Sequence, residues 1–212
     1  MSTTHDRNRS RQQFFNSPAD HWLERCYTPY REGRDPDTAR KIERVLDAAG
    51  LDTGMIVADV GCGTGVLAGP ILKRLGSNGK LYEIDFAARM IAVNRQLHRD
   101  NRIRFLTADV MALPVAPESC HAVIAFCCLP HFDDKAGALT SLRTILKPGG
   151  RLIVSHLDSA ADLNAFHRST DPVVSEDSLP DADALTAMLE RAGFTVDEAI
   201  DRKGFYLVRA ER

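Results

Sequence analysis

Three groups of residues in this chain of 212 could do chemistry. The first is Val57-Ala58-Asp59-Val60-Gly61-Cys62-Gly63-Thr64-Gly65, a glycine-rich turn carrying an acid. Glycine lets backbone approach a ligand closely and adopt a positive φ. The second is a pair of aspartates, Asp85, twenty positions after Gly65, and Asp109. An acid after a strand can accept hydrogen bonds from ribose hydroxyls. Dinucleotide sites normally use GxGxxG, with a helix N-terminus facing the pyrophosphate. Here the spacing is GxGxG and Asp59 precedes it, which suits a ligand with an ammonium and no phosphate better. The third group is His131 and His156, whose side-chain type titrates near neutrality and serves as a base or polar anchor. Their plain alternatives are a structural histidine holding its loop and a solvent-facing one.

These residues need elements to hold them. Asp35-Pro36 reads as a cap and first turn of a helix carrying Ile42, Val45, Leu46 and Ala49, stopped by Gly50. Apolar strands then alternate with helices, which predicts a parallel sheet covered on both faces. The strands are Met55 to Val60, Lys80 to Ile84, Ile103 to Thr107, Ala122 to Phe126 and Arg151 to Ser155. Helices carry Leu67, Ile71, Leu72 and Leu75, then Met90, Ile91, Asn94 and Leu97, then Leu139, Leu142, Ile145 and Leu146, and last Leu185, Met188, Leu189 and Ala192. Lys147-Pro148-Gly149-Gly150 stops the third of these. Phe194 to Ile200 and Gly204 to Arg209 are joined by a link too short for a parallel crossover, so they pair antiparallel. The expected fold is α/β, a Rossmann-like doubly wound seven-stranded sheet, mostly parallel, with one antiparallel strand in a C-terminal hairpin. Asp59, Asp85 and Asp109 then fall outside the strand carboxyl ends, where such sheets bind ligands.

In order and spacing, VADVGCGTG, LYEIDFAARM, TADVMALP, CHAVIAFCCLPHFDD and LRTILKPGGRLIV resemble the class I S-adenosylmethionine-dependent methyltransferases. Within that superfamily the layout is most similar to the group of the quinone-biosynthesis C-methyltransferases. The resemblance implies S-adenosylmethionine as cofactor and a small-molecule acceptor. It implies that Gly61, Cys62 and Gly63 lie against the methionine part, with Asp59 near its amino group. Asp85 would hold the ribose hydroxyls, Phe86 and Met90 would pack on the adenine, and Asp109 would meet the adenine amino group beside the Val110 backbone. Phe126 would offer its carbonyl to the cofactor amine. His131 and His156, after strands four and five, are the catalytic candidates.

Residues 1–35 stand apart from the methyltransferase domain expected over 36–212. They hold Phe14, Phe15, Trp22, Tyr27 and Tyr30, and read either as packing on the sheet edge or as a lid over the crevice. The stretch Asp158 to Leu179, with His167, Arg168, Asp171 and Glu176, is an insertion of the kind that builds substrate pockets. Composition narrows the classes. Apolar residues make up 44% and charged residues 26%, as in ordinary globular proteins. Twenty-seven Lys plus Arg against 29 Asp plus Glu leave a net charge of -2, without the basic excess of a nucleic-acid binder. No apolar run is long enough to span a membrane, and the polar start is no secretory signal. Five cysteines without CxxC spacing suit neither a disulfide framework nor a zinc knuckle, and no metal is expected. The expected location is cytoplasmic; the oligomeric state stays open, a homodimer included. The alternatives are a non-catalytic binder of the same cofactor and an RNA or protein methyltransferase.

Overall fold

The computed structural model describes residues 4–22, 24, 26, 27 and 33–212. Helix α1 (Thr4–Asn16) and a 3-10 turn at Ala19–His21 precede the expected first helix, α2 (Pro36–Ala49). Asp35 caps α2 by accepting from Thr38 N at 2.9 Å, and Gly50 closes it in the left-handed region at φ 60°. Then follow β1 (Ile56–Val60), α3 (Ala68–Leu75), β2 (Lys80–Asp85), α4 (Ala88–Leu97), β3 (Ile103–Thr107), β4 (Cys120–Phe126) and α5 (Lys135–Ile145). The chain closes with β5 (Leu146–His156), α6 (Ala160–Arg168), α7 (Ala182–Arg191), β6 (Thr195–Arg202) and β7 (Phe205–Glu211).

The seven strands form one sheet in the order β3-β2-β1-β4-β5-β7-β6. β1 to β5 pair parallel, and β7 runs antiparallel to both β5 and β6. The fold is therefore the Rossmann-like sheet with one reversed strand. Side-chain parity divides the core: Val57, Ala122, Ile124 and Phe126 pack with Ile42 and Leu46 of α2, Leu67 just before α3 and Ile71 within it. Ala58, Val123, Ala125, Leu152 and Val154 face Leu139, Leu142, Leu185 and Leu189 of α5 and α7. The strand order reverses between β1 and β4, so a crevice opens at the carboxyl ends there.

Two local features bear on the site. Lys147-Pro148-Gly149-Gly150 does end α5, yet it lies inside β5 as a bulge. Cys120 pairs with Leu146 and Ala122 with Arg151, so the extra residues loop out, with Gly149 at φ 73°. The insertion after β5 is not irregular throughout: Ser159 caps α6, its side chain accepting from Asp162 N at 3.1 Å.

Candidate functional site

The first glycine turn is shaped by its neighbours. Gly61 and Cys62 both donate their N–H to Ile84 O, at 2.8 and 3.1 Å, which ties the turn to β2. Gly61 sits at φ 72°, and a Cβ there would lie 2.4 Å from Cys128 Cβ. A Cβ on Gly65 would lie 2.3 Å from Asn94 Oδ1. These two glycines are there because other side chains occupy their space. Gly63, at φ 53°, instead faces open space edged by the Trp22 indole. The loop thus offers bare backbone to a ligand.

A cavity of about 300 Å³ lies over this turn. Asp59, Gly61, Cys62, Gly63, Asp85, Phe86, Met90, Asp109, Val110 and Phe126 all line it, and so does His131. His156 does not. It shares strand parity with Leu152 and Val154, so its ring turns to the α5 and α7 face and meets Tyr206 edge-on, with centroids 6.2 Å apart. Burial pushes its pKa down to about 3, with the neighbouring His131 and His167 adding to the shift. A ring so placed is a poor proton acceptor near neutrality.

The acids carry distinct environments. Asp85 accepts from Ala87 N at 2.8 Å on Oδ1 and from Gly63 N at 2.9 Å on Oδ2, bridging the glycine turn to the start of α4. Burial raises its pKa to about 6 against those hydrogen bonds. Asp59 is also raised well above the ordinary carboxyl value, by burial and then by the charges of Glu83 and Asp85, and its Oδ2 is buried with no hydrogen-bond partner. Asp109 caps the 3-10 turn Val110–Ala112 through Met111 N at 2.9 Å and receives Asn8 Nδ2 at 3.2 Å. The sulfur groups stay protonated: burial pushes Cys127 up to about 12, and Cys62 and Cys128 well above the ordinary thiol value. Cys128 donates to Val60 O at 3.1 Å, and Cys127 holds the left-handed region at φ 56°, a strained position beside the Phe126 carbonyl.

Among the described residues, His131 is the one histidine on the cavity wall. Its Nδ1 lies 2.7 Å from Asp177 Oδ2, while His167 Nδ1 meets the Asp177 carbonyl at 2.9 Å. The His131 and His167 rings stand 5.4 Å apart. Asp177 is almost completely buried; burial raises its pKa, but hydrogen bonds from His131 and Arg11 outweigh that and leave it lowered. Sequence reasoning missed Asp177, which stands among the exposed Glu176 and Ser178, and nothing in the sequence separates it from them. Arg168 and Asp171, singled out in the same stretch, are exposed.

Residues of the N-terminal segment reach the cavity. Asn8, Phe15, Trp22 and Tyr27 line it, and Phe15 meets Trp22, Phe86 and His131 edge-on. Gln12 Nε2 donates to Phe86 O at 2.7 Å, and Arg89 N donates to Asn16 Oδ1 at 2.9 Å. Tyr30 falls outside the described residues.

The donor set fits S-adenosylmethionine on two observations. An orphaned buried carboxylate oxygen on Asp59 matches an ammonium, and a bare glycine turn bounds the same cavity. Residues 58–154 match a family described as a methyltransferase domain. The ubiquinone/menaquinone biosynthesis C-methyltransferase UbiE of Idiomarina loihiensis is 29% identical over 175 residues, 70% of this chain and 70% of that protein. A S-adenosylmethionine-dependent methyltransferase from Aquifex aeolicus has a TM-score of 0.67 at 20% identity, covering 95% of this chain and 97% of its own. A chain of the Haloferax volcanii complex between the Trm112 methyltransferase activator and a methyltransferase reaches 0.74 at 16% identity, covering 93% and 96%. At such identities these two structures speak for the fold alone. Among the described residues, no helix is long and apolar enough to cross a membrane.

Proposed function

We propose that this chain works as a class I S-adenosylmethionine-dependent methyltransferase and that it methylates a small, uncharged acceptor bearing a weakly acidic hydroxyl on an aromatic ring. The observation that carries this reading is the lining of the cavity. Among the described residues, Asp59, Asp85, Asp109, Asp133 and Asp134 line it, and no Lys or Arg does. An anionic acceptor would meet like charge without a partner, which disfavours phosphorylated, carboxylated and nucleic-acid acceptors. Phe15, Trp22, Phe86 and Phe132 offer aromatic walls to a flat apolar body.

When bound, S-adenosylmethionine supplies an electrophilic methyl on a sulfonium, whose departure leaves a neutral thioether. The chain's own residues do the rest. Asp59 receives an ammonium, Asp85 the ribose hydroxyls, and the walls exclude water and hold the acceptor in line. His131 keeps its Nδ1–H on Asp177, so Nε2 is free to take the acceptor's hydroxyl proton. Burial holds the His131 pKa below its ordinary value, against the pull of Asp177, so the ring is neutral and able to accept at physiological pH. Losing that proton enriches the acceptor's oxygen and ring carbons in electron density. The quinone-biosynthesis relative favours carbon as the atom methylated; the ring hydrogen on that carbon then leaves as a proton to solvent, and the proton held by His131 returns to the oxygen, which restores the aromatic hydroxyl.

The test is methyl transfer from S-[methyl-13C]adenosylmethionine to a panel of uncharged hydroxylated aromatics, their carboxylated analogues and bulk RNA. Label should enter members of the first set only. His131→Ala should lower turnover roughly 10²–10⁴-fold with little change in cofactor affinity. Label in the carboxylated set or in RNA overturns the acceptor class, and cofactor binding without any transfer would favour a sensor.

A further inference from the structure

Helix α1 is polar, yet one of its faces is buried. Asn8, Arg11, Gln12 and Phe15 recur at helical spacing, and each lines the cavity or bonds to a residue that does. Arg11 is the most enclosed of them, at 3% exposed. Its Nε donates to Asp177 Oδ2 at 3.1 Å, its Nη2 to Asp177 Oδ1, and its Nη1 to Asp133 Oδ1. One guanidinium therefore joins α1 to the loop after β4 and to the insertion after α6. Arg11 and His131 also share a single atom, Asp177 Oδ2.

We propose that Arg11 is a positioning residue for the transfer: it latches α1 over the crevice and, through Asp177, sets the orientation of His131. This rests on the reading of the crevice as a S-adenosylmethionine site with His131 as its base. A carboxylate accepting the two parallel bonds of a guanidinium fork is fixed in plane, and a lysine cannot reproduce that geometry. The His131 ring, bonded to an oxygen so fixed and covered by Phe15 of the same helix, then has a set direction. When α1 lifts, Arg11 leaves Asp177, Phe15 leaves the ring, and the wall formed by Asn8, Phe15 and Trp22 opens. The base is thus oriented only when the crevice is covered. The charged or titratable groups facing His131 and Asp177 are Arg11 from α1, Asp133 and Lys135 after β4, His156 from β5, and His167 from α6.

The experiment measures two things in wild type, Arg11→Ala and Arg11→Lys. The first is the dissociation rate of S-adenosylhomocysteine by stopped flow. The second is the titration of the His131 ring by NMR of 13C-labelled histidine, with His131→Gln as the assignment control. Dissociation should quicken at least tenfold in Arg11→Ala and by three- to tenfold in Arg11→Lys, which keeps the charge and loses the fork. The His131 pKa should rise in Arg11→Ala, because a neighbouring cation is removed, and stay near wild type in Arg11→Lys. Rates within twofold of wild type in both variants, or an unmoved His131 titration in Arg11→Ala, would overturn the latch. Should Arg11→Ala not fold, the Arg11→Lys rate decides alone. Failure of the wild type to bind S-adenosylhomocysteine would instead overturn the cofactor site, and the NMR arm, which needs no cofactor, would still decide the latch.

Discussion

Replacing Asp85 by Ala separates what this carboxyl does for the fold from what it does for the ligand. In the fold it accepts from Gly63 N at 2.9 Å and Ala87 N at 2.8 Å. Each such bond to a charged acceptor contributes about 1.5–3 kcal/mol, so losing both costs about 3–6 kcal/mol. Against this stands the desolvation of the buried carboxylate, which outweighs those bonds and leaves its pKa at about 6. The variant should therefore melt close to wild type. For the ligand no such offset exists, because the ribose hydroxyls lose an anionic acceptor worth about 1.5–3 kcal/mol. Cofactor affinity should fall roughly 10–150-fold. Titration calorimetry with S-adenosylhomocysteine at pH 7.5, beside thermal melts, measures both quantities. In wild type, affinity should also weaken as pH drops below about 6, as Asp85 takes up its proton, and that step should vanish in Asp85→Ala. Affinity within threefold of wild type, with the same pH dependence, would refute this reasoning.

Other perturbations probe the surroundings. Gly61→Ala, which brings a Cβ 2.4 Å from Cys128 Cβ at φ 72°, should destabilise by about 2–5 kcal/mol; adding Cys128→Ala should not restore it, since the clash is with Cβ, and melts decide. Burial lifts the Glu83 pKa to about 7 against an ordinary 4.5, so the folded state holds its proton more tightly than the unfolded chain and this group's contribution falls as pH rises between those values. Glu83→Gln should therefore melt close to wild type at pH 4.5 and above it at pH 8, a gap on the order of 3 kcal/mol, and denaturant titrations at the two pH values check it. Removing residues 1–30 should leave a folded domain, because the two main core clusters draw no fully buried member from the described residues among them, but one that turns over poorly; circular dichroism and the transfer assay read the two outcomes.

Much of the sheet was legible because buried strands carry continuous apolar runs and the helices between them carry apolar stripes. The caps at Asp35 and Gly50 and the hairpin after Arg202 follow from single residues. Helix α1 was not legible in that way, because the residues it turns inward, Asn8, Arg11, Gln12 and Asn16, are polar and bind by hydrogen bonds. A search for apolar periodicity finds no stripe there. The glycine turn, Asp85 and Asp109 reach one cavity because local spacing and strand order determine where they emerge. His156 failed as a wall residue on parity, since one step along β5 exchanges the two faces of the sheet. Asp177 depends on where a 13-residue passage from Ser169 to Asp181 returns, which no local pattern encodes.

Titration calorimetry of the wild-type protein shows whether the crevice between β1 and β4 holds S-adenosylmethionine. Saturable binding of S-adenosylmethionine is expected, with competition by S-adenosylhomocysteine and none by a nicotinamide dinucleotide, whose pyrophosphate would meet Asp59. Binding of the dinucleotide in place of S-adenosylmethionine, or no binding of either sulfur compound, would contradict it.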